Sequence, residues 1–264
     1  MTDYLVFRLY APLASWGAPA VGQHRPSQEY PGKAAIIGLL GAALGIRRDD
    51  IERQQQLLDS VKVAVKQYTA GSLLSDYHTT QVPSARSKVS YATRKDELNA
   101  LPRKIINTIL SSREYRCDGY WVVAIRSKDS AAYSLECLRD ALEKPVFVLY
   151  LGRKSCPVAA PLVPHIVSAE TLQNALDTSF ETTGIDHPGS VFFDKVVVHD
   201  REAMRSPGHA VYAWEGDIND LTGEAEGVVT ARDTWDQPVA DRRKWQFESR
   251  TEYRRAGQVE QENG

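Results

Sequence analysis

The sequence of 264 residues is long enough for one large domain or two small ones, and its 42% hydrophobic and 25% charged residues are ordinary for a globular protein. A formal net charge of −2 excludes a uniformly basic nucleic-acid-binding protein. No apolar run reaches the roughly 18 residues of a membrane span, the three cysteines are too few and too widely spaced for a disulfide framework or a zinc site, and the N-terminus does not resemble a secretory signal, so we expect a cytoplasmic protein.

Charge is distributed unevenly along the chain. Residues 77–116 contain eight basic and three acidic side chains, and residues 242–255 contain six and two. Residues 170–236 contain fourteen acidic and four basic ones. This separation would allow a phosphate-binding face on a nearly neutral protein, although ordinary solvated charge would give the same composition.

The first element is a predicted strand over residues 3–10, which is rich in β-forming side chains and is closed by a proline. It leads into a loop of about twenty residues, 11–32, and ordered loops of this length are usually functional. The loop carries a ring suited to base stacking and polar groups suited to phosphate, namely Trp16, Gln23 and Arg25. The alternative is that Trp16 lies in the core and Arg25 is an ordinary surface residue.

The most apolar stretch of the sequence, residues 33–46, predicts a helix that is buried on most sides. Gly38 and Gly41 each cost about 1 kcal/mol relative to alanine inside a helix, which indicates close approach of another backbone. Gly45 is placed to end the helix. Lys33 lies at its start, where free amides and a cation would favour an anion.

A polar helix over 49–60 and a half-buried strand over 61–68 come next. Residues 69–102 then show little periodicity, and we expect a β-ribbon with arms at 76–80 and 88–94. Its bases, tyrosine and histidine suit a protrusion that contacts a polyanion: Tyr77, His78, Lys88 and Arg94. A surface insertion without a ligand is the alternative.

The second half of the predicted core repeats the pattern of the first. A strand over 115–126, an amphipathic helix over 131–143 and a fully buried strand over 146–151 follow the insertion. Two strand–helix–strand units of this kind form the split βαβ pattern of a ferredoxin-like or RRM-type fold. The four-stranded sheet of such a fold can present a face to single-stranded RNA.

A loop at the end of the predicted buried strand carries a glycine with adjacent bases and a hydroxyl group: Gly152, Arg153, Lys154 and Ser155. Backbone amides and positive charge in such a loop favour a phosphate group. The spacing is not that of a nucleotide-binding P-loop, which argues against an ATPase.

The remaining chain is less regular. We expect a capped helix over 168–177, strands over 191–199, 210–214 and 242–247, and a frayed tail over 254–264. The predicted fold class is α+β: a ferredoxin-like, RRM-type palm at 1–157, with a β-ribbon, thumb-like insertion at 69–112 and a smaller β-rich C-terminal portion at 158–264.

Several stretches together resemble the type I-E members of the Cas-five family of CRISPR-associated proteins: 4–9, Trp16-Gly17, Arg25-Pro26, 37–46, Asp76-Tyr77-His78 and 149–157. The resemblance extends over most of the chain and is weakest in 170–236. It implies a palm with a thumb-like insertion, in agreement with the pattern of elements.

The resemblance also implies a function in antiviral defence. Such subunits do not cut RNA; they cap the 5′ handle of CRISPR RNA in the Cascade surveillance complex and contact its backbone and large subunits. Target DNA is then met only through the assembled complex, and neither a cofactor, a metal nor a membrane is implied. The thumb, between Tyr77 and Arg94, would insert at the first bases beyond the handle.

Two other functions stay open at this point. Type I-C relatives are metal-independent endoribonucleases that use Tyr, Lys and His, which here would be Tyr77, Lys88 and His78. Neighbouring residues on a strand point to opposite faces, so Tyr77 and His78 are not expected to converge on one phosphate. An adaptor that only holds proteins together is the third possibility.

Overall fold

The computed structural model describes residues 1–20, 22–83, 90–99, 106–178, 180, 210–223, 228–239 and 246–257. Lys88 and the predicted strand over 191–199 lie outside these ranges. Within them, no helix is long and apolar enough to cross a membrane.

The strands are β1 (Thr2–Ala14), β2 (Trp16–Gly17), β3 (His24–Arg25), β4 (Ser27–Gln28), β5 (Val61–Thr69), β6 (Ser72–Pro83), β7 (Ile106–Ser127), β8 (His165–Ala169), β9 (Val211–Trp214), β10 (Val229–Pro238) and β11 (Phe247–Ala256). The α-helices are α1 (Lys33–Ala43), α2 (Ile51–Ser60), α3 (Arg94–Asn99), α4 (Leu135–Glu143) and α5 (Leu172–Leu176).

The centre of the molecule is an antiparallel sheet in the order β5-β7-β1-β8. Val123 of β7 lies between Phe7 of β1 and Val65 of β5 in register. Helices α1 and α4 connect strands that are separated by one neighbour, which is the split βαβ arrangement of the ferredoxin-like fold. The predicted α+β class is therefore confirmed.

The predicted buried strand over 146–151 is wrong, because β8 lies in its place beside β1, with Tyr4 opposite Val167. Instead, the amides of Val146 and Phe147 donate to the carbonyls of Ala43 and Ala42 at the end of α1. A short apolar run in a sequence is compatible with a strand and with other apolar segments, so the sequence pattern alone does not identify its structure. Here the two hydrogen bonds hold the segment at the C-terminal end of α1.

Both faces of the central sheet are covered. Leu5, Phe7 and Trp121 pack with α1, α2 and α4 on one face. Tyr120 and Val122 pack on the other face against a buried cluster formed largely by α5: Leu172, Ala175 and Leu176. The sheet therefore offers no open RRM-like face to RNA.

Strands β9, β11 and β10 extend the same sheet beyond β5. The predicted strand at 210–214 is confirmed as β9, whereas Arg254 and Arg255 lie in β11 and not in a frayed tail. The domain bounds 1–157, 69–112 and 158–264 stay predictions, since the C-terminal part supplies both β8 and this extension.

The β-ribbon pairs β6 with β7 over twelve positions, from Ser72 opposite Cys117 to Pro83 opposite Ile106. The first arm was predicted, but the second arm is 106–117 and not 88–94. The last residue of the predicted arm, Arg94, begins α3 (Arg94–Asn99), whose first turn is capped because the Thr93 hydroxyl accepts a hydrogen bond from the Asp96 amide. This local cap favours helix over strand.

Helix α1 ends as predicted. Gly45 has φ +69°, and the amides of Gly45 and Ile46 donate to Ala42 and Gly41, which is a Schellman motif. The expected backbone contact at Gly38 is wrong, because a Cβ built there meets nothing within 4 Å. Gly38 therefore faces open space.

Candidate nucleic-acid interface

The base of the β-ribbon holds part of the long loop between β1 and α1. Strand β3 pairs in parallel with β7, with His24 opposite Ser112 and Arg25 opposite Arg113. The Ser112 amide also donates to the carbonyl of Gln23 at 3.1 Å. These bonds place exposed Gln23 and Arg25 beside the ribbon.

Glu114 on β7 is the residue to which the loop is attached. Its carboxylate accepts a hydrogen bond from the Ser27 amide at 3.0 Å and lies 3.4 Å from His24 Nε2. Its carbonyl accepts from Ser15 Oγ at 3.0 Å. Sequence reasoning missed Glu114, because a single acid inside a basic stretch gives no signal of its own.

The loop over 152–157 is anchored to the end of β1. The Ser15 amide donates to the Leu151 carbonyl at 3.0 Å, and the Leu151 amide donates to the Cys156 carbonyl at 2.7 Å. Gly152 has φ +85°, and a Cβ there would lie 1.8 Å from the Ser15 carbonyl oxygen. Only glycine fits this contact.

Arg153 joins the two loops. Its guanidinium donates to the carbonyls of Glu114 and Arg25, both at 3.2 Å, and lies 4.8 Å from the centre of the Tyr115 ring. This contact places the 152–157 loop beside the loop that carries Arg25. Because a guanidinium has five N–H donors, Arg153 keeps donors for a phosphate.

Four cations therefore lie together where the loops meet the ribbon: Arg25, Arg113, Arg153 and Lys154, the basic surface. Arg113 and Lys154 are exposed, and neither side chain makes a hydrogen bond or an ion pair with any residue that the structure describes. Arg113 was part of the basic stretch but was not predicted as a site residue. Ser155 is exposed, whereas the Gly152 amide donates to the Tyr150 carbonyl and is not available to a phosphate.

Trp16 is not on this surface. Its side chain is 2% exposed and meets Trp121 edge to face, with ring centroids 5.1 Å apart. This geometry contradicts the predicted stacking on a base and agrees with the alternative of a core residue. The ring fixes the start of the loop against the sheet.

Lys33 is also not a phosphate contact. It is 3% exposed, and its Nζ lies 2.6 Å from Glu215. Burial lowers the pKa of Lys33, while the Glu215 carboxylate opposes that shift. At the start of α1, the Lys33 amide donates to the Asp236 carboxylate at 2.7 Å, so a side chain takes the place expected for an external anion.

The ribbon separates the residues of the nuclease hypothesis. Tyr77 lies opposite Ser112 and His78 opposite Ser111, so the two side chains point to opposite faces. Tyr77 is 67% exposed, and His78 Nδ1 lies 3.5 Å from Asp76. The Arg94 guanidinium already donates hydrogen bonds to the Glu97 carboxylate and to the Gln81 carbonyl.

Comparisons with known proteins agree on one family. Residues 4–252 match the family model described as CRISPR-associated protein (Cas_Cas5). The chain is 35% identical over 186 residues to the CRISPR system Cascade subunit CasD of Escherichia coli (strain K12), which covers 70% of this chain and 80% of that protein.

Solved structures share the fold. One, described as a CRISPR RNA-guided surveillance complex, has a TM-score of 0.61 at 21% identity and covers 97% of this chain and 90% of that one. Another, described as the crystal structure of a Cas protein, has a TM-score of 0.54 at 23% identity and covers 96% and 94%. With the extent of the family match, these findings establish that the chain belongs to the CRISPR-associated Cas_Cas5 family.

Proposed function

We propose that the chain is a non-catalytic RNA-binding subunit of a Cascade-type complex and caps the 5′ handle of CRISPR RNA with its basic surface. The observation that carries the proposal is the meeting of the two loops through Arg153, beside the base of the ribbon. Support for the complex comes from the relative, which is a Cascade subunit, and from the structural neighbour in an RNA-guided surveillance complex.

The basic surface suits a bent single strand. Arg25, Arg113, Arg153 and Lys154 come from three separate segments, so they would contact successive phosphates and not one isolated anion. Gln23 and Ser155 lie next to these cations in sequence and add polar groups that would bond to sugar or phosphate oxygens. Tyr77 is exposed on the ribbon and would stack on a base beyond the handle.

The absence of cleavage is part of the proposal. Cleavage through 2′-OH attack needs an acid and a base within hydrogen-bond reach of one phosphate. Tyr77 and His78 lie on opposite faces of the ribbon, which argues against the endoribonuclease alternative for this pair. Backbone subunits, the large subunit and, through them, target DNA are the partners that we propose.

The test measures binding and cleavage separately. For cleavage, the purified chain is incubated without metal with end-labelled repeat RNA, and the products are resolved on gels. For binding, the chain assembled with its partner subunits is incubated with handle RNA, and the retained complex is resolved on gels. We expect handle binding without a product. A product that disappears in a His78→Ala variant would contradict the non-catalytic role, and assembled complex that fails to retain handle RNA would contradict capping.

A further inference from the structure

A groove of about 940 Å³ lies between α1 and the segment that was expected to be a buried strand. Ile37, Gly38 and Ala42 line one side, and Phe147, Val148 and Tyr150 line the other. The open space at Gly38 is part of this groove. Of the four cations of the basic surface, Lys154 alone also lines the groove, at one end of it.

Most apolar side chains over 146–150 are unusually exposed for their type, whereas Leu149 packs against the core. Val146, Phe147 and Val148 are 66%, 43% and 83% exposed. A contiguous apolar patch of this kind on a protein surface typically marks a site of interaction with another molecule. The exposed valines, together with the Phe147 and Tyr150 rings, suit the apolar core of a contact with a polypeptide, in which aromatic and aliphatic side chains pack together.

Three main-chain amides of the segment are also open, although Tyr150 forms an isolated antiparallel bridge with Pro157 and its carbonyl accepts from the Gly152 amide. The two ends of the segment are fixed, since Val146 donates to Ala43 and Leu151 donates to Cys156. Between them, the amides of Val148, Leu149 and Tyr150 donate to no residue that the structure describes. A bound polypeptide would supply the missing carbonyl acceptors.

The charged side chains among the described residues that line the groove are all basic. Arg47 and Lys154 lie at its rim, and no aspartate or glutamate is among the described residues that line it. The contact from Arg47 to Asp49 is 3.8 Å long and exposed on both sides, so it is largely screened. An occupant that carries carboxylates would complement this rim.

We propose that the groove binds an apolar segment of another subunit that is flanked by Asp or Glu, with main-chain hydrogen bonds to 148–150. This inference rests on the proposed assembly into a complex but not on handle binding. The groove is fixed at both ends, so the isolated chain already presents it to the partner.

A photo-crosslink identifies the occupant. The benzophenone amino acid p-benzoylphenylalanine, an enlarged phenylalanine, replaces Phe147 in the chain co-expressed with its partner subunits and CRISPR RNA. The purified complex is irradiated, and adducts are mapped by mass spectrometry. We expect one peptide of another subunit, with Asp or Glu within a few residues of the crosslinked position.

The other outcomes overturn the inference: an adduct only with RNA, an adduct with a second copy of this chain, or no adduct in a complex that contains the chain. A matched probe at exposed Ile218, outside the groove, must not yield the same peptide. A chain that does not co-purify with any subunit would overturn the proposed assembly as well, whereas failure of handle binding alone would leave a positive crosslink standing.

Two substitutions test the chemistry without a probe. Val148→Asp and Arg47→Glu are at exposed positions, so a thermal melt should match that of the parent chain. We expect each to weaken the chain's association with its complex at least about tenfold in competitive co-purification, with Arg47→Lys as the control that retains it. Unchanged association of both variants would contradict the proposal.

Discussion

At the scale of single residues, what matters is whether a cation is free or already engaged. Lys33 and Lys154 have similar surroundings in the sequence, since each lies within two residues of a glycine and near the start or end of a predicted element. The structure buries Lys33 against Glu215 and leaves Lys154 exposed. Of the two, only Lys154 therefore remains a candidate for RNA phosphate.

Replacing Lys154 should weaken handle binding through electrostatics alone. For Lys154→Ala, we expect the slope of log affinity against log salt to fall in magnitude by about 0.7, the value for one phosphate on a single strand. Fluorescence anisotropy of labelled handle RNA on the assembled complex, over a salt series, measures this slope. Arg139→Ala on α4 is the control, because Arg139 already pairs with Asp140; an unchanged slope for Lys154→Ala would remove this loop from the interface.

Replacing each of two glycines with alanine should change the free energy of unfolding in opposite directions. Gly152→Ala places a Cβ 1.8 Å from the Ser15 carbonyl at φ +85°, and we expect a loss of about 1–3 kcal/mol together with weaker RNA binding. Gly38→Ala has open space in a helix interior, and we expect a gain of up to about 1 kcal/mol. Urea unfolding followed by circular dichroism gives both values, and equal effects would contradict the geometry.

At the scale of elements, the start of α1 is tied to the C-terminal strands by charge. The Lys33 ammonium bonds to Glu215, which follows β9, and the Lys33 amide bonds to Asp236 on β10. Asp236 also accepts from Arg250 on β11 at 2.6 Å. The charges of this network are paired, so each one depends on its partner.

Removing one partner of the buried Lys33–Glu215 pair should lower the free energy of unfolding more than removing both partners. Lys33→Met leaves the Glu215 carboxylate, whose side chain is 12% exposed, without its ammonium, and we expect a loss of about 3–5 kcal/mol. Adding Glu215→Gln should recover part of this loss. The free energy of unfolding of the two single variants and the double variant measures the coupling, and strict additivity would show that the two groups do not interact.

At the scale of the whole molecule, one buried tyrosine connects the palm to the C-terminal strands, and a second makes a hydrogen bond within the C-terminal part. Tyr30 donates to Glu252 on β11 at 2.6 Å, and Tyr212 on β9 donates to Asp177 at 2.7 Å. Burial and these carboxylates raise the pKa of both phenols from the ordinary value of 10.0. The folded protein therefore keeps both protons at a pH where the unfolded chain loses them.

This shift predicts alkaline destabilisation. A raised pKa in the folded state contributes stability that is present below pH 10.0 and is lost as the pH rises further. We expect the free energy of unfolding to fall more steeply between pH 10 and 11 in the parent chain than in Tyr30→Phe. Because the lowered pKa of Lys33 acts in the opposite direction, the difference between the two chains is the quantity to measure; identical slopes would contradict the assigned cause.

Local sequence patterns predicted features that depend on residues close together in the sequence. The apolar face of α4 and the Schellman end of α1 were read correctly, because capping and periodicity act over a few residues. Strand β5 was also predicted, but its half-buried character was wrong, since Lys66 is only 7% exposed. The second arm of the ribbon was misplaced, since the pairing partner of β6 is chosen from a distance and α3 intervenes.

From the sequence alone came the first strand–helix–strand unit, the existence of a ribbon and the two loops that carry Arg25 and Arg153, whereas the fourth strand of the split βαβ pattern was misassigned to 146–151. Only the tertiary structure decided which polar groups stay free: Lys33 is neutralised by Glu215 from 182 residues away, and Trp16 is buried against Trp121. It also left 146–150 exposed by giving its place beside β1 to β8. The physical reason is that periodicity records which side of an element is apolar, whereas burial and ion pairing depend on what the rest of the chain brings to that side.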